Sequence, residues 1–178
     1  MRNSIQRQLS RIALALALLL MPSAAMAQAS PHATASSGGF TILALLTADR
    51  NWTKEWSRTD GQPPRLVPAS TVTAGDVAQL IIMFEGAAER QGRLLVACEV
   101  SVTTPEGVVH ALPASRCFDR QVEGSATASR LLDVDMGLKV EPTDPIGLYR
   151  FAIRATDLFG GQSVATEVSV EVVRRGRN

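Results

Sequence analysis

The sequence predicts an all-β chain, an antiparallel β-sandwich of about seven to eight strands. Three observations carry that expectation. Apolar and polar residues alternate with period two through much of the chain, the spacing of strands buried on one face. Turn signals built on proline, glycine and aspartate separate the alternating runs at short intervals. No long segment carries an apolar stripe at helical spacing.

Taken in order, "FTILALLT" and "VAQLIIMF" are short apolar runs that fit buried strands, with "TAGD" (73–76) as the turn before the second. Between them "GQPPRLVPAS" is punctuated by proline and reads as extended, an edge strand or a crossover. In "RLLVACEVSVT", Leu94, Val96, Cys98, Val100 and Val102 share one face. "TPEG" (104–107) then turns the chain, "VVHAL" returns as the partner strand, and "CF" lies just beyond. In "LLDVDMGLKV", Leu132, Val134, Met136, Leu138 and Val140 point one way, with Asp133, Asp135 and Lys139 on the other side. "GLYRFAIRATD" places Tyr149, Phe151, Ile153 and Ala155 inside. After the "LFGGQ" turn, "SVATEVSVEVV" does the same for Val164, Val168, Val170 and Val172. Arg150 and Arg154 then stand to face Glu167 or Glu171 across this hairpin.

The ends are read separately. Arg2, Arg7 and Arg11 precede the apolar run "IALALALLL", and Ala25-Met26-Ala27 fits the small-x-small pattern of a cleavage site. Residues 1–27 therefore read as a secretory signal peptide of the bacterial Sec type, too short in its apolar run to span a bilayer. Residues 28–39, "QASPHATASSGG", are small, polar and glycine-rich, and read as a flexible leader. The folded domain is expected over 40–173, with a basic tail at 174–178. Loss of the signal takes the formal charge from +1 to −2. A surface so close to neutral argues against nucleic acid, which needs a basic patch.

Export also bears on Cys98 and Cys117. An oxidising compartment favours a disulfide between them over two separate thiols. A zinc site lacks ligands, because the two histidines are His32, in the leader, and His110. Asp133 and Asp135 share a strand face, but two carboxylates without further oxygen ligands read better as a solvated face than as a cation site. No metal or cofactor is expected.

"DPIGLYRFAIRATD" (144–157) resembles a signature of immunoglobulin-like domains, in which a tyrosine folds back to hydrogen-bond backbone at a corner. Asp144, Gly147 and Tyr149 occupy the places of that structural corner. Phe151 stands where antibody-type domains carry a cysteine, so the resemblance is to a bacterial immunoglobulin-like sandwich. The wider pattern is similar to a group of small exported proteobacterial proteins of unassigned function. Its parts are Ala48-Asp49 before Trp52 and Trp56, Gly75-Asp76 before a strand, a cysteine strand ending in "TTPEG", then "CF" and "DPIGLY". That resemblance implies fold and periplasmic location and no activity.

For function, His110 is the one histidine expected within the fold, and no nucleophile motif accompanies it. Met83 and Met136 are scattered, which argues against copper handling. The expectation is a non-catalytic module that binds an envelope protein, peptide or glycan through an exposed edge or loop. The alternative is carbohydrate or small-ligand binding by Asp49, Trp52, Glu55 and Trp56. The two tryptophans share a face whether "TADRNWTKEW" is helix or strand. In a chain with 4% aromatic residues they fit a structural clasp better than a binding ledge.

Overall fold

The computed structural model describes residues 28–59, 62–123, 128–134 and 136–176. The expected signal peptide, Asp135 and the last two residues of the tail lie outside them. Among the described residues the chain forms ten strands and one short helix. They are β1 (His32–Ser37), β2 (Phe40–Thr47), α1 (Trp52–Trp56), β3 (Thr71–Thr73), β4 (Val77–Glu85) and β5 (Arg93–Thr103). β6 (Val109–Gln121), β7 (Arg130–Leu131), β8 (Met136–Lys139), β9 (Gly147–Asp157) and β10 (Ser163–Val173) complete the fold.

Two five-stranded sheets result. The first runs β1-β2-β4, with β7 and β8 both pairing with β4; the second runs β3-β10-β9-β5-β6. Every pairing is antiparallel except β3 with β10, which is parallel. Phe40, Ile42, Leu46, Leu80, Ile82 and Phe84 from the first sheet meet Leu94, Val96, Phe151, Ile153, Val168 and Val170 from the second. These are the inward positions of period-two strands, so one set of side chains forms the core. Phe84 packs edge-on against Phe118 at 4.9 Å between ring centres and lies 6.3 Å from Phe40.

The structure corrects several expectations. The leader assigned to 28–39 contains β1, and the fold already includes Ser30, whose carbonyl accepts the Ser169 amide at 2.7 Å. Ala33 and Ala35 alternate with Thr34 and Ser36 and pack on the core, a period-two pattern concealed by its small residues. Gly38 and Gly39, read as linker glycines, form the two-residue hairpin turn to β2. Their φ values of 57° and 90° are those that a hairpin turn of this length requires, and Ser37 pairs with Phe40.

"LLDVDMGLKV" is not one strand but parts of two, β7 and β8, with Leu132 and Val140 still buried. Described residues of "GQPPRLVPAS" form no strand and cross between the sheets, the Ala69 amide bonding to the Leu46 carbonyl at 2.8 Å. β6 runs on through "CF" as one strand of 13 residues. Across the last hairpin Arg150 approaches Glu167 at 3.9 Å, but Arg154 turns to Glu99 on β5 at 4.0 Å. Arg154 and Glu99 are directly opposed in the β5–β9 register, which decides the partner.

Candidate functional site

The tryptophan stretch forms the five-residue helix α1, in which neither Trp52 nor Trp56 is buried and neither is fully exposed. Asn51 sits at the N-cap without a side-chain hydrogen bond, while Asp49 accepts the Asn51 amide at 2.8 Å and shapes the entry turn. Glu55 pairs with Arg58 at 3.1 Å. Both acids of the predicted set therefore serve the local turn and helix. Trp52 borders a hollow of about 570 Å³ with Gln79 and residues 131–134, while Trp56 does not line it. Asp49 meets Trp52 only through the backbone, its carbonyl accepting the Trp52 amide at 3.4 Å, and the two indoles do not form one ledge over this hollow.

The second surface is the outer edge of the second sheet. β6 ends that sheet, and no described residue outside β5 hydrogen-bonds to the backbone of residues 109–115. Every residue from Val109 to Arg116 is exposed. Val109 is 60% and Leu112 47% exposed, large apolar side chains on an open strand edge. The reason lies across the sandwich: β7 has two residues and β8 four, too few to cover the first half of β6. Pro113 falls in the middle of this stretch and has no N–H to give a neighbouring strand. That proline was the signal in the sequence that "VVHAL" belongs to an edge.

Two irregularities set the geometry of β6. Pro113 and Ala114 together oppose Glu99, and Cys117 is an extra residue between Arg116 and Phe118. A bulge re-aims the side chain it carries. Here Cys117 turns inward and bonds to Cys98, with the two Cα atoms 5.7 Å apart. The disulfide joins adjacent strands and pins β6 where its edge is still covered, for the Cys117 carbonyl also accepts the Asp133 amide at 2.6 Å. Arg120 Nη2 donates to both carboxylate oxygens of Asp133 at 2.5 and 2.6 Å, and Asp133 remains exposed, as the expected solvated face requires. Both cysteines are oxidised and offer no thiolate nucleophile.

Beside the open edge lies a hollow of about 400 Å³. Val102, Val108, Leu138 and Pro145 give it apolar walls, and Glu106, His110 and Asp144 stand among them. Tyr149, buried, also lines it. The Tyr149 hydroxyl donates to the Pro145 carbonyl at 2.9 Å, and Asp144 accepts the Glu141 amide at 2.7 Å. Gly147 has φ 132°, and a side chain there would stand 3.1 Å from Pro105 Cβ. The corner therefore packs against the "TPEG" turn and holds the hollow's walls together. Burial raises the Tyr149 phenol above its ordinary value, and the charges of Asp144 and Glu106 add to the shift.

No family model matches the chain, and no curated protein matches it at a significant level. Among the described residues no group of three or more histidine, cysteine, aspartate or glutamate side chains is placed to hold a metal ion. No described helix is long and apolar enough to cross a membrane. The disulfide is compatible with an oxidising, extracytoplasmic compartment.

Proposed function

We propose that this protein is a non-catalytic interaction module of the bacterial periplasm or exterior, and that it binds a partner protein by accepting a strand at β6. The observation that carries the reading is the open edge from Val109 to Arg116, exposed along its length and apolar at Val109 and Leu112. Such an edge offers backbone acceptors to an extended segment, and donors on either side of Pro113, and its side chains add specificity. The disulfide at Cys117 fixes the base of this strand, which reduces the ordering cost of binding. The signal-peptide pattern of residues 1–27 and the cysteine pair support the compartment. The tyrosine corner supports the immunoglobulin-like assignment.

Site-specific photo-crosslinking in the bacterial envelope tests the reading. A photoreactive residue at position 111 should capture one dominant partner, and the same residue at Leu158, an exposed apolar position in the β9–β10 turn, should not. Equal capture at both positions, or none at 111, counts against strand addition. A second reading, a sugar or small ligand on the Trp52 face, rests on the hollow that Trp52 borders with Gln79. Quenching of tryptophan fluorescence by oligosaccharides, lost in Trp52→Ala, is the result that favours it.

A further inference from the structure

We infer that the hollow beside β6 receives a lysine or arginine side chain from the incoming strand, so that the partner segment is extended and basic. The inference rests on strand addition at β6 and names the chemistry that selects the partner.

Side chains along a strand point alternately to its two faces. Val108 and His110 line the hollow at the start of β6, so a strand laid along this edge turns every second side chain towards it. The side chain that enters meets Val102, Val108 and Leu138 along its length and two carboxylates, Glu106 and Asp144, among them. Neither carboxylate has an ion-pair partner among the described residues, and no lysine or arginine lines the hollow. A lysine or arginine fits this pattern, because its methylene stem covers apolar surface while its charged head stays near the acids. An acidic side chain meets two like charges. A purely apolar one covers two carboxylates and offers them no donor in return, which costs free energy.

Both acids also lie near enough to the Tyr149 phenol to act on it, which places the negative charge at the hollow itself. Asp144 is held by the Glu141 amide and needs little reordering to accept a cation.

Short random peptides displayed on phage and selected on the purified mature protein provide the test. Selected peptides should carry a lysine or arginine between alternating apolar residues and protect amides of 109–112, 114 and 115 from hydrogen exchange. Glu106→Gln and Asp144→Asn should each weaken them roughly two- to fivefold, as expected for a partly solvated ion pair. The Asn variant keeps an oxygen for the Glu141 amide. Replacing the basic residue of the peptide by norleucine reads the same pairing from the ligand side and does not depend on either variant folding. Peptides that protect β6 without a basic residue, or whose affinity neither substitution changes, overturn the inference and leave strand addition standing. Peptides that protect amides elsewhere, or the absence of any binding peptide, overturn both.

Discussion

Asp157 closes β9 with its side chain 1% exposed, a position that a carboxylate holds only when its oxygens are satisfied. It accepts the Ala88 amide at 2.8 Å and the Phe159 amide at 3.0 Å, tying the β4–β5 connection to the β9–β10 turn. A side chain at Gly160 would come within 2.2 Å of the Asp157 carboxylate, which explains the glycine there. Asp157→Ala leaves two amides without their acceptor and should cost about 1–3 kcal/mol in urea unfolding. A change under about 0.5 kcal/mol, the range of ordinary surface substitutions, contradicts this role. Tyr149→Phe removes one hydroxyl bond and should cost about 1 kcal/mol near neutral pH. The alkaline limb is a separate test. The folded phenol titrates above its unfolded value, so its contribution is complete below about pH 10 and falls as pH rises through the folded value. Wild type should therefore lose stability above that pH more steeply than the phenylalanine variant. Trp52 is half-buried, so Trp52→Ala should cost less than the roughly 3–5 kcal/mol typical of a fully buried aromatic.

At the scale of elements, β9 and β10 were legible in the sequence because each buries one face along its whole length. Period two then reports burial directly, and Tyr149, Phe151, Ile153 and Ala155 are all in the core. β1 was hidden because alanine, threonine and serine carry little hydropathy contrast, and because a glycine pair marks a tight turn and a linker equally well. The break between β7 and β8 was hidden for another reason: alternation continues through Val134 whether or not the backbone pairs. The bulge at Cys117 shifts the face of one residue and depends on β5, so no local pattern announces it. Its consequence is measurable. The Cys98–Cys117 bridge spans a sequence separation of 19, for which loop-closure entropy predicts about 3 kcal/mol. The Cys98→Ser and Cys117→Ser double variant should lose about that much stability, and the two strands should then exchange their amides faster from 94 to 120. Unchanged stability contradicts the view that the bridge anchors the open strand.

At the scale of the whole fold, the described residues form two sheets of five strands around one core, but the sheets do not end together. The first sheet stops in the short β7 and β8, and the second continues past it as β5 and β6. Exposure of Leu112, whose β5 partner Val100 lies in the core, follows from that mismatch between sheets, whereas Val109 stands on the opposite face of the strand. Pro113 marks the segment as an edge, but how far that edge stays uncovered depends on the other sheet and is not written in the segment itself. The tryptophan stretch shows the opposite case: its residues attract notice in the sequence, yet the fold uses Asp49 and Glu55 in local turns and leaves the indoles half-covered. The measurement that bears most directly on the open edge is residue-resolved amide exchange at 109–112, 114 and 115, on either side of Pro113. It is made in the protein alone and in the complex with the partner captured at position 111. Fast exchange at the outward amides of the free protein, with protection in the complex confined to β6, is the expected result. Amides already protected in the free protein, or protection in the complex that falls elsewhere, would contradict an edge open to strand addition.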